Sequence, residues 1–348
     1  MTLSDNSYLP NRNRVIKKVL YPSVISVLVI VSIVTLLMGP MPWPRIWEGV
    51  IHRLDGSSTV WNPLLDERLP RLLVLLLTGA SLAVSGAVMQ SLFQNPLASP
   101  GVLGLSSGGS LMALLILISG WHILCPFAIS VAAFGGCLVT LMIVYSLARS
   151  HGSLQIHLLI LTGIAISTVL AALQGTLAYA LRDHWELMQA VTEWEAGSTY
   201  DRTWQHAHMQ LPLAIVGLGG CWKYRHEINI LALGEDDARN LGVDVDKVRW
   251  RLFLCVSLLT GGAMAAVGVI PFFGLILPHV IRRLLGSNNA QLIPMCTLGG
   301  GIVIIAIDIA LRLLSIHWLS IGNVSAVIGG LFFLTLLVQQ MRRTTTMV

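Results

Sequence analysis

Long stretches of this chain are apolar at every position, and they recur between shorter polar connections. Ten such windows are found, at 19–38, 69–90, 100–119, 125–148, 157–181, 207–222, 250–269, 271–285, 292–313 and 320–338. A helix needs about 20 apolar residues to cross the hydrocarbon core of a bilayer, whereas the strands of a membrane barrel alternate apolar and polar positions. The pattern therefore predicts an all-α polytopic membrane protein with about ten transmembrane helices.

The composition agrees with this prediction. Of the 348 residues, 55% are hydrophobic and 11% are charged, against about 25% charged in soluble globular domains. Soluble enzymes, disordered chains and charged coiled coils are thereby excluded. None of the five cysteines has C-x-x-C spacing, so we interpret them as packing residues and predict neither a zinc site nor a redox pair. They are Cys125, Cys137, Cys221, Cys255 and Cys296.

The distribution of positive charge predicts the orientation. If both ends lie in the cytoplasm, the inner segments hold 15 of the 22 Lys and Arg residues, as the positive-inside rule requires. This bias accounts for the net charge of +5 without nucleic acid. The expected organisation is an inner tail at 1–18, a membrane domain at 19–343 and an inner tail at 344–348. The first window is too long for a signal-peptide core, so we interpret it as an uncleaved helix.

Two connections are long enough to carry structure of their own. The outer one, at 182–206, is acidic and rich in aromatic residues. The inner one, at 223–249, resembles a soluble segment, and its centre predicts a short helix that has acidic residues at its start and stops at Gly242. Ala238 and Leu241 are expected to share one face of that helix. The alternative is an ordinary solvated linker.

The signatures of ATP hydrolysis and of zinc-dependent catalysis are missing from the sequence. The P-loop requires a Gly-Lys dipeptide, which is found nowhere in the chain. H-E-x-x-H is also missing, and no convergent nucleophile and base support an intramembrane enzyme, so we predict neither catalytic residues nor metal ligands. If ATP drives this protein, a separate polypeptide has to bind it.

A few ionisable side chains fall at or near membrane depth, where they are costly and often functional. Asp308 and Arg312 are four residues apart, so they can pair along one helix face. On the predicted outer side, Arg68, Arg71 and Arg312 form a set of guanidinium groups. They act either as anchors that extend to the interface or as contacts for carboxylates of a partner.

Several motifs in their order resemble the FecCD-type permeases, which belong to bacterial ABC importers of ferric siderophores, haem and vitamin B12. The resemblance runs from about Glu67 to Arg343, and its motifs lie at 68–71, 85–104, 234–242, 274–282 and 306–312. The chain departs from the family pattern at 319–322, where Leu-Ser-Ile-Gly replaces Leu-Pro-x-Gly. It departs again at Gly329-Gly330 and at Gly109, where the family usually has Gly-Ala-Pro and Ala.

The resemblance implies a vitamin-B12-permease-like fold in the bacterial inner membrane. The implied partners are a second permease subunit, identical or paralogous, two ATPase subunits that hold ATP-Mg, a periplasmic or lipid-anchored substrate-binding protein, and membrane lipid. This chain is expected to bind no cofactor itself.

The resemblance also assigns residues to three roles. The ATPase-coupling residues are expected at Gly234, Glu235, Ala238, Arg239, Leu241 and Gly242. Docking of the binding protein is assigned to Arg68, Arg71 and Arg312. The cytoplasmic gate and pathway are assigned to Gln155, Ile156, His157, Asn95 and Pro96.

The expected function is the import of a chelated iron compound, with a ferric siderophore as the first choice of substrate. Haem and vitamin B12 stay open as alternatives, since nothing in the sequence decides among the three. A secondary transporter driven by an ion gradient is an alternative from another class, and Asp308 is its one supporting residue.

Overall fold

The structure, a computed structural model, describes residues 12–39, 41–56, 61–125, 127–150, 153–316 and 319–345. The predicted tails fall partly outside these residues. The first helix begins at Arg12 and the last ends at Thr345, so both helices extend beyond their apolar windows. Helix formation needs only backbone hydrogen bonds, whereas the windows mark the part that lies in lipid.

The described chain is helical apart from one two-residue antiparallel pairing, between Arg149–Ser150 and Ser153–Leu154. The helices are α1 (Arg12–Leu37), α2 (Trp43–Leu54), α3 (Leu69–Leu92), α4 (Leu105–Ser119), α5 (Trp121–Leu124), α6 (Ala128–Ala148), α7 (Ile156–Ala180), α8 (Trp185–Ala196), α9 (Trp204–Lys223), α10 (Arg225–Leu231), α11 (Glu235–Asn240), α12 (Val245–Val267), α13 (Phe273–Leu285), α14 (Asn289–Leu313) and α15 (Ile321–Thr345). A π-helical turn at Pro63–Arg68 leads into α3, and a 3-10 turn at Pro100–Leu103 precedes α4.

Each of the ten apolar windows coincides with a helix. Six helices of the described chain are long and apolar enough to cross a membrane, namely α1, α3 with its π-helical turn, α6, α7, α12 and α14. Helix α13 has 13 residues, about 20 Å of helix against about 30 Å of hydrocarbon. The all-helical membrane fold is thus confirmed, while the count of ten crossings and the location of the termini stay predictions.

Helix α3 is the centre of the molecule. Of its 24 residues, 20 are buried, and it packs against α9, α12, α13 and α14. At the periphery, α1 and α7 expose most of their apolar side chains, as expected of surfaces that meet lipid or another subunit. The core therefore lies around one helix, with its lipid-facing helices outside.

Helix α2 was not predicted from the sequence. Its apolar residues fall into two groups, because Ile46 and Val50 are buried whereas Trp47, Ile51 and Leu54 are exposed. A 12-residue amphipathic helix is too short to span the bilayer and suits its interface. The hydropathy windows overlooked it because only part of its surface is apolar.

Glycines allow α3 to approach its neighbours at backbone distance. A Cβ atom added at Gly79 would overlap with the carbonyl of Gly300 on α14, and one at Gly86 would overlap with the carbonyl of Gly274 on α13. Close approach of backbones stabilises helix pairs in lipid. Burial of apolar side chains between the helices adds little there, because lipid tails are as apolar as the side chains. These two contacts therefore set the distances between α3 and its partners.

We predict that Gly86→Ala destabilises the protein by about 1–3 kcal/mol, because the methyl group forces two backbones apart. Gly135→Ala in α6 is the matched control, since a Cβ atom there meets nothing within 4 Å. The control should be neutral or slightly stabilising. Thermal unfolding of the purified protein in detergent measures both, and equal midpoints would show that the contact does not matter.

Candidate functional site

The inner segment between α9 and α12 folds into two short helices, α10 and α11. Gly234, at φ +136°, directly precedes α11. The first turn of α11 contains Glu235, Asp236 and Asp237, and their carboxylates interact favourably with the positive end of the helix dipole. The predicted helix is therefore present, and the alternative of a solvated linker is wrong.

The carboxyl end of α11 is closed by a Schellman motif. Gly242 adopts φ +83°, a conformation that costs glycine little and other residues more. The Gly242 amide donates to the Arg239 carbonyl at 3.0 Å, and the Val243 amide donates to the Ala238 carbonyl at 3.0 Å. The predicted stop at Gly242 is confirmed, and the backbone conformation explains the requirement for glycine.

Glu235 connects α11 to α12 through charge-assisted hydrogen bonds. Its Oε2 accepts from Arg249 Nη1 at 2.7 Å, and its Oε1 accepts from Arg239 Nη2 at 2.9 Å. Arg239 also lies 3.3 Å from Asp246 Oδ2. The Arg249 side chain is buried whereas that of Glu235 is 35% exposed, so their contact is partly shielded from water and salt. Sequence analysis missed Arg249, which lies 14 positions after Glu235.

The pKa of the Glu235 carboxyl reflects this environment. Burial raises the pKa, but the hydrogen bonds from Arg239 and Arg249 and their positive charges outweigh burial and hold it below its ordinary value. A lowered folded-state pKa means that the ion pairs contribute fully above the ordinary carboxyl range. Their contribution is lost as the pH falls through the lowered value, so the attachment of α11 is intact at neutral pH.

The two apolar residues that were expected to share a face of α11 point in different directions. Ala238 is fully buried, whereas Leu241 is 62% exposed and follows the last helical residue, Asn240. Leu233, just before the helix, is 66% exposed. The prediction of a shared face is therefore wrong, because the helix ends one residue before Leu241. The exposed apolar surface consists of Leu233 and Leu241.

On the opposite side of the molecule, Asp308 lies at the centre of a buried charged cluster. Its Oδ1 accepts from Arg71 Nη2 at 2.6 Å and from Thr199 Oγ1 at 2.9 Å, and its Oδ2 lies 2.8 Å from Arg312 Nη2. The predicted pair of Asp308 and Arg312 is confirmed. Arg71 was not predicted to join it, because the two residues are 237 positions apart and only the i,i+4 spacing is visible in a sequence.

Arg68 does not join that cluster. Its Nη1 donates to the Leu36 carbonyl at 2.8 Å, in the last turn of α1, where carbonyl groups lack helical partners and the dipole favours a cation. The guanidinium also lies 5.9 Å from the ring centre of Trp43. The three arginines assigned to docking therefore form two separate groups, and Arg68 and Arg71 are both buried.

The charged cluster carries an excess positive charge, since two guanidinium groups share one carboxylate. Arg312 is the more accessible of the two, with 16% of its side chain exposed against 7% for Arg71. Beside it is a cavity of about 10 Å³ lined by Arg71, Thr199, Asp308 and Arg312 among others, which is room for about one water molecule. The cluster is thus able to attract an additional negative group from outside.

The residues assigned to a gate lie on two neighbouring elements. Gln155 directly precedes α7, and it is exposed together with His157, while Ile156 is half-buried. Asn95 and Pro96 are exposed in the turn after α3, where Asn95 Oδ1 accepts from the Leu97 amide at 2.9 Å. Helix α7 packs against the 3-10 turn that follows this segment. In the described residues, no three His, Cys, Asp or Glu side chains are placed to share a metal ion.

Most of this chain matches one known protein family. The model of the FecCD transport family matches residues 24–339. This chain belongs to the FecCD transport family. The haemin transport permease HmuU of Yersinia pestis is 36% identical over 293 residues, which cover 82% of this chain and 85% of HmuU. The vitamin B12 import permease BtuC of Citrobacter koseri is 35% identical and covers 94% of this chain and 96% of its own.

One further relative and one solved structure are also similar to this chain. The Fe(3+) dicitrate transport permease FecD of Escherichia coli is 33% identical, over 88% of this FecCD-family chain and 94% of FecD. The fold matches an inward-facing structure of a metal-chelate type ABC transporter with a TM-score of 0.80 and 27% identity, over 93% of this chain and 99% of that one. The protein is therefore a permease subunit of an ABC importer for chelated iron, haem or vitamin B12, located in the bacterial inner membrane.

Proposed function

We propose that this permease carries a ferric siderophore from a substrate-binding protein to the cytoplasm, driven by ATP that separate ATPase subunits hydrolyse. One observation supports the proposal above others. A helix fixed by ion pairs and closed at its carboxyl end by a Schellman motif is flanked by two exposed leucines, on a chain that lacks the P-loop dipeptide. Exposed apolar side chains on a rigid polar segment are typical of a protein contact.

In this proposal α11 is the element that the ATPase subunit grips. Gly234 and Gly242 allow the chain to enter and leave the helix sharply, and Glu235 and Arg239 hold the helix against α12. Leu233 and Leu241 then insert into an apolar cleft of the partner. Motion of the ATPase is passed to the membrane helices through these contacts, and the substrate path opens alternately to each side.

A second permease subunit is proposed to cover α7. This helix is the least buried of the long apolar helices after α1, and it exposes Thr168, Thr176 and Tyr179 among its apolar residues. The two threonine hydroxyls bond to carbonyls of their own helix, and small polar residues of this kind are enriched where membrane helices pack against each other. The pair of subunits would then enclose the path, with the segments at Gln155 and Asn95 at its cytoplasmic end.

The outer charged cluster supports docking of the binding protein. Arg71 and Arg312 share the single carboxylate of Asp308, so an acidic side chain of the partner finds uncompensated charge there. Arginine suits this contact because its planar group binds a second carboxylate without losing the first. Arg68 has a different role in this proposal: it holds the end of α1 beside the docking surface.

The substrate choice rests on family resemblance, because the named relatives are haemin, vitamin B12 and ferric dicitrate permeases. Reconstituted vesicles that contain this permease, its ATPase and its binding protein test the choice with labelled ferric siderophores, haem and cobalamin. We expect uptake of a ferric siderophore only with ATP and all partners. Uptake driven by a proton gradient in vesicles holding the permease alone would contradict the proposal and favour a secondary transporter.

Leu241→Asp tests the contact with the ATPase. We expect ATP-driven uptake to fall at least about tenfold, equivalent to about 1.4 kcal/mol, while the amount of folded permease stays unchanged because the side chain is exposed. Ala238→Asp is the contrasting variant, since it buries an unpaired charge and should lower the folded yield itself. Unchanged uptake with Leu241→Asp would remove this residue from the interface.

Arg312→Gln tests docking without leaving Asp308 unpaired, because Arg71 stays beside it. We expect the affinity of the loaded binding protein for the vesicle-bound complex to fall roughly tenfold at low salt, and the difference to shrink as salt screens the contact. Arg45→Gln, an exposed arginine on α2, is the control for loss of one positive charge. Equal affinity of both variants at every salt concentration would refute the docking role.

A further inference from the structure

Asn229 on α10 forms a set of hydrogen bonds to the start of α14. Its Oδ1 accepts from the backbone amide of Asn289 at 2.8 Å and from Asn289 Nδ2 at 2.8 Å. Its Nδ2 donates to Asn288 Oδ1 at 3.1 Å. One side chain therefore satisfies two donors of Asn289 and one acceptor of the residue before it, and it fixes α10 in both distance and orientation against α14.

The contacts of Asn289 continue into α3 and α13. Ser91 Oγ lies 3.3 Å from Asn289 Oδ1 and 3.0 Å from the Ala87 carbonyl, so its single proton bonds to one of them at a time. Arg282 Nη2 on α13 donates to Ser91 Oγ at 3.2 Å. Asn229, Asn289, Ser91 and Arg282 thus form a continuous polar chain across four helices.

Burial makes the amide pair costly to break. Asn289 is fully buried and Ser91 is nearly so, so water does not replace a lost partner. Removal of one partner from a buried hydrogen bond incurs the desolvation penalty of the group that is left. Sliding of α10 past the start of α14 would therefore leave two buried donors of Asn289 unpaired.

Helices α10 and α11 pack against each other as one unit, and two further contacts anchor that unit. Leu231, the last residue of α10, accepts at its carbonyl from Gln94 Nε2 at 3.2 Å, which ties the unit to the turn after α3. At the other end, Glu235 binds Arg249 on α12. Ile228 of α10 is fully buried. The unit Arg225–Asn240 is thus anchored to three membrane elements, and the contact through Asn229 is the one that reaches α14.

We propose that Asn229 is a positioning residue for energy coupling, which transmits displacement of α10 and α11 to α14 and, through Asn289 and Ser91, to α3. The proposal rests on the proposed function, in which an ATPase subunit moves α11. Asn229 touches neither nucleotide nor substrate. It acts by keeping α14 in register with the segment that the ATPase grips.

The test compares Asn229→Ala with Asn229→Asp in vesicles that hold the complete transporter. The alanine variant loses all three hydrogen bonds. The aspartate variant loses the bond to Asn288, because a carboxylate has no donor, but it keeps an oxygen that accepts both bonds from Asn289. The partly exposed position tolerates its charge. We expect uptake per ATP hydrolysed to fall roughly tenfold in Asn229→Ala and to stay near the wild-type value in Asn229→Asp, with similar ATPase rates in both.

His226→Ala is the matched control, because His226 is an exposed residue of the same helix. It should leave uptake per ATP unchanged. If Asn229→Ala does not assemble, Asn229→Ser replaces it, since the shorter hydroxyl does not reach Asn289. Two results would overturn the positioning role. One is wild-type uptake per ATP in Asn229→Ala or, if that variant does not assemble, in Asn229→Ser. The other is a loss in Asn229→Asp equal to that in Asn229→Ala. Lack of ATP-driven uptake in the wild type would instead overturn the proposed function.

Discussion

The antiparallel contact between α3 and α14 is the constraint on which the rest of the structure depends. It holds at three levels along the two helices. Arg71 binds Asp308 near the predicted outer end, Gly79 meets Gly300 in the middle, and Ser91 meets Asn289 near the predicted inner end. In lipid, apolar surface alone does not drive helices together, so small residues and buried polar pairs supply the specificity. The pair behaves as one rigid body because all three contacts would have to slip together.

The three contacts between α3 and α14 differ in the chemical groups that form them. Charged groups occur at the outer end and amides and hydroxyls at the inner end, while the middle is backbone against backbone. A buried ion pair is costly to break when one partner is removed, so the Arg71 and Asp308 contact fixes the outer end strongly. The neutral contacts at the inner end fix orientation instead, because an amide has donors and acceptors at defined positions.

How much of this could be predicted depended on whether the signal was local. The long apolar windows identified ten helices. The spacing of Asp308 and Arg312 identified an ion pair, and Gly242 identified a helix end. All three rules concern residues that are close together in the sequence. Helix α2 was missed because a short amphipathic helix gives no hydropathy maximum. The partners of Asp308 and Asn289 were missed because Arg71 and Asn229 are 237 and 60 positions away, and only the fold brings them together.

The rigid pair of α3 and α14 links the two ends of the protein. The proposed docking cluster uses Arg71 of α3 and Arg312 of α14, and the polar chain from α10 reaches Asn289 of α14 and Ser91 of α3. Both partner proteins would thus act on the same two helices from opposite sides of the membrane. If a pair held at three levels moves as one body, the proposed substrate path opens by motion of the less buried helices. Among the described residues, the main contacts of helix α7 are with α4, α6 and the 3-10 turn, and few of its residues are buried. It is therefore held less tightly against the pair than α9, α12 or α13.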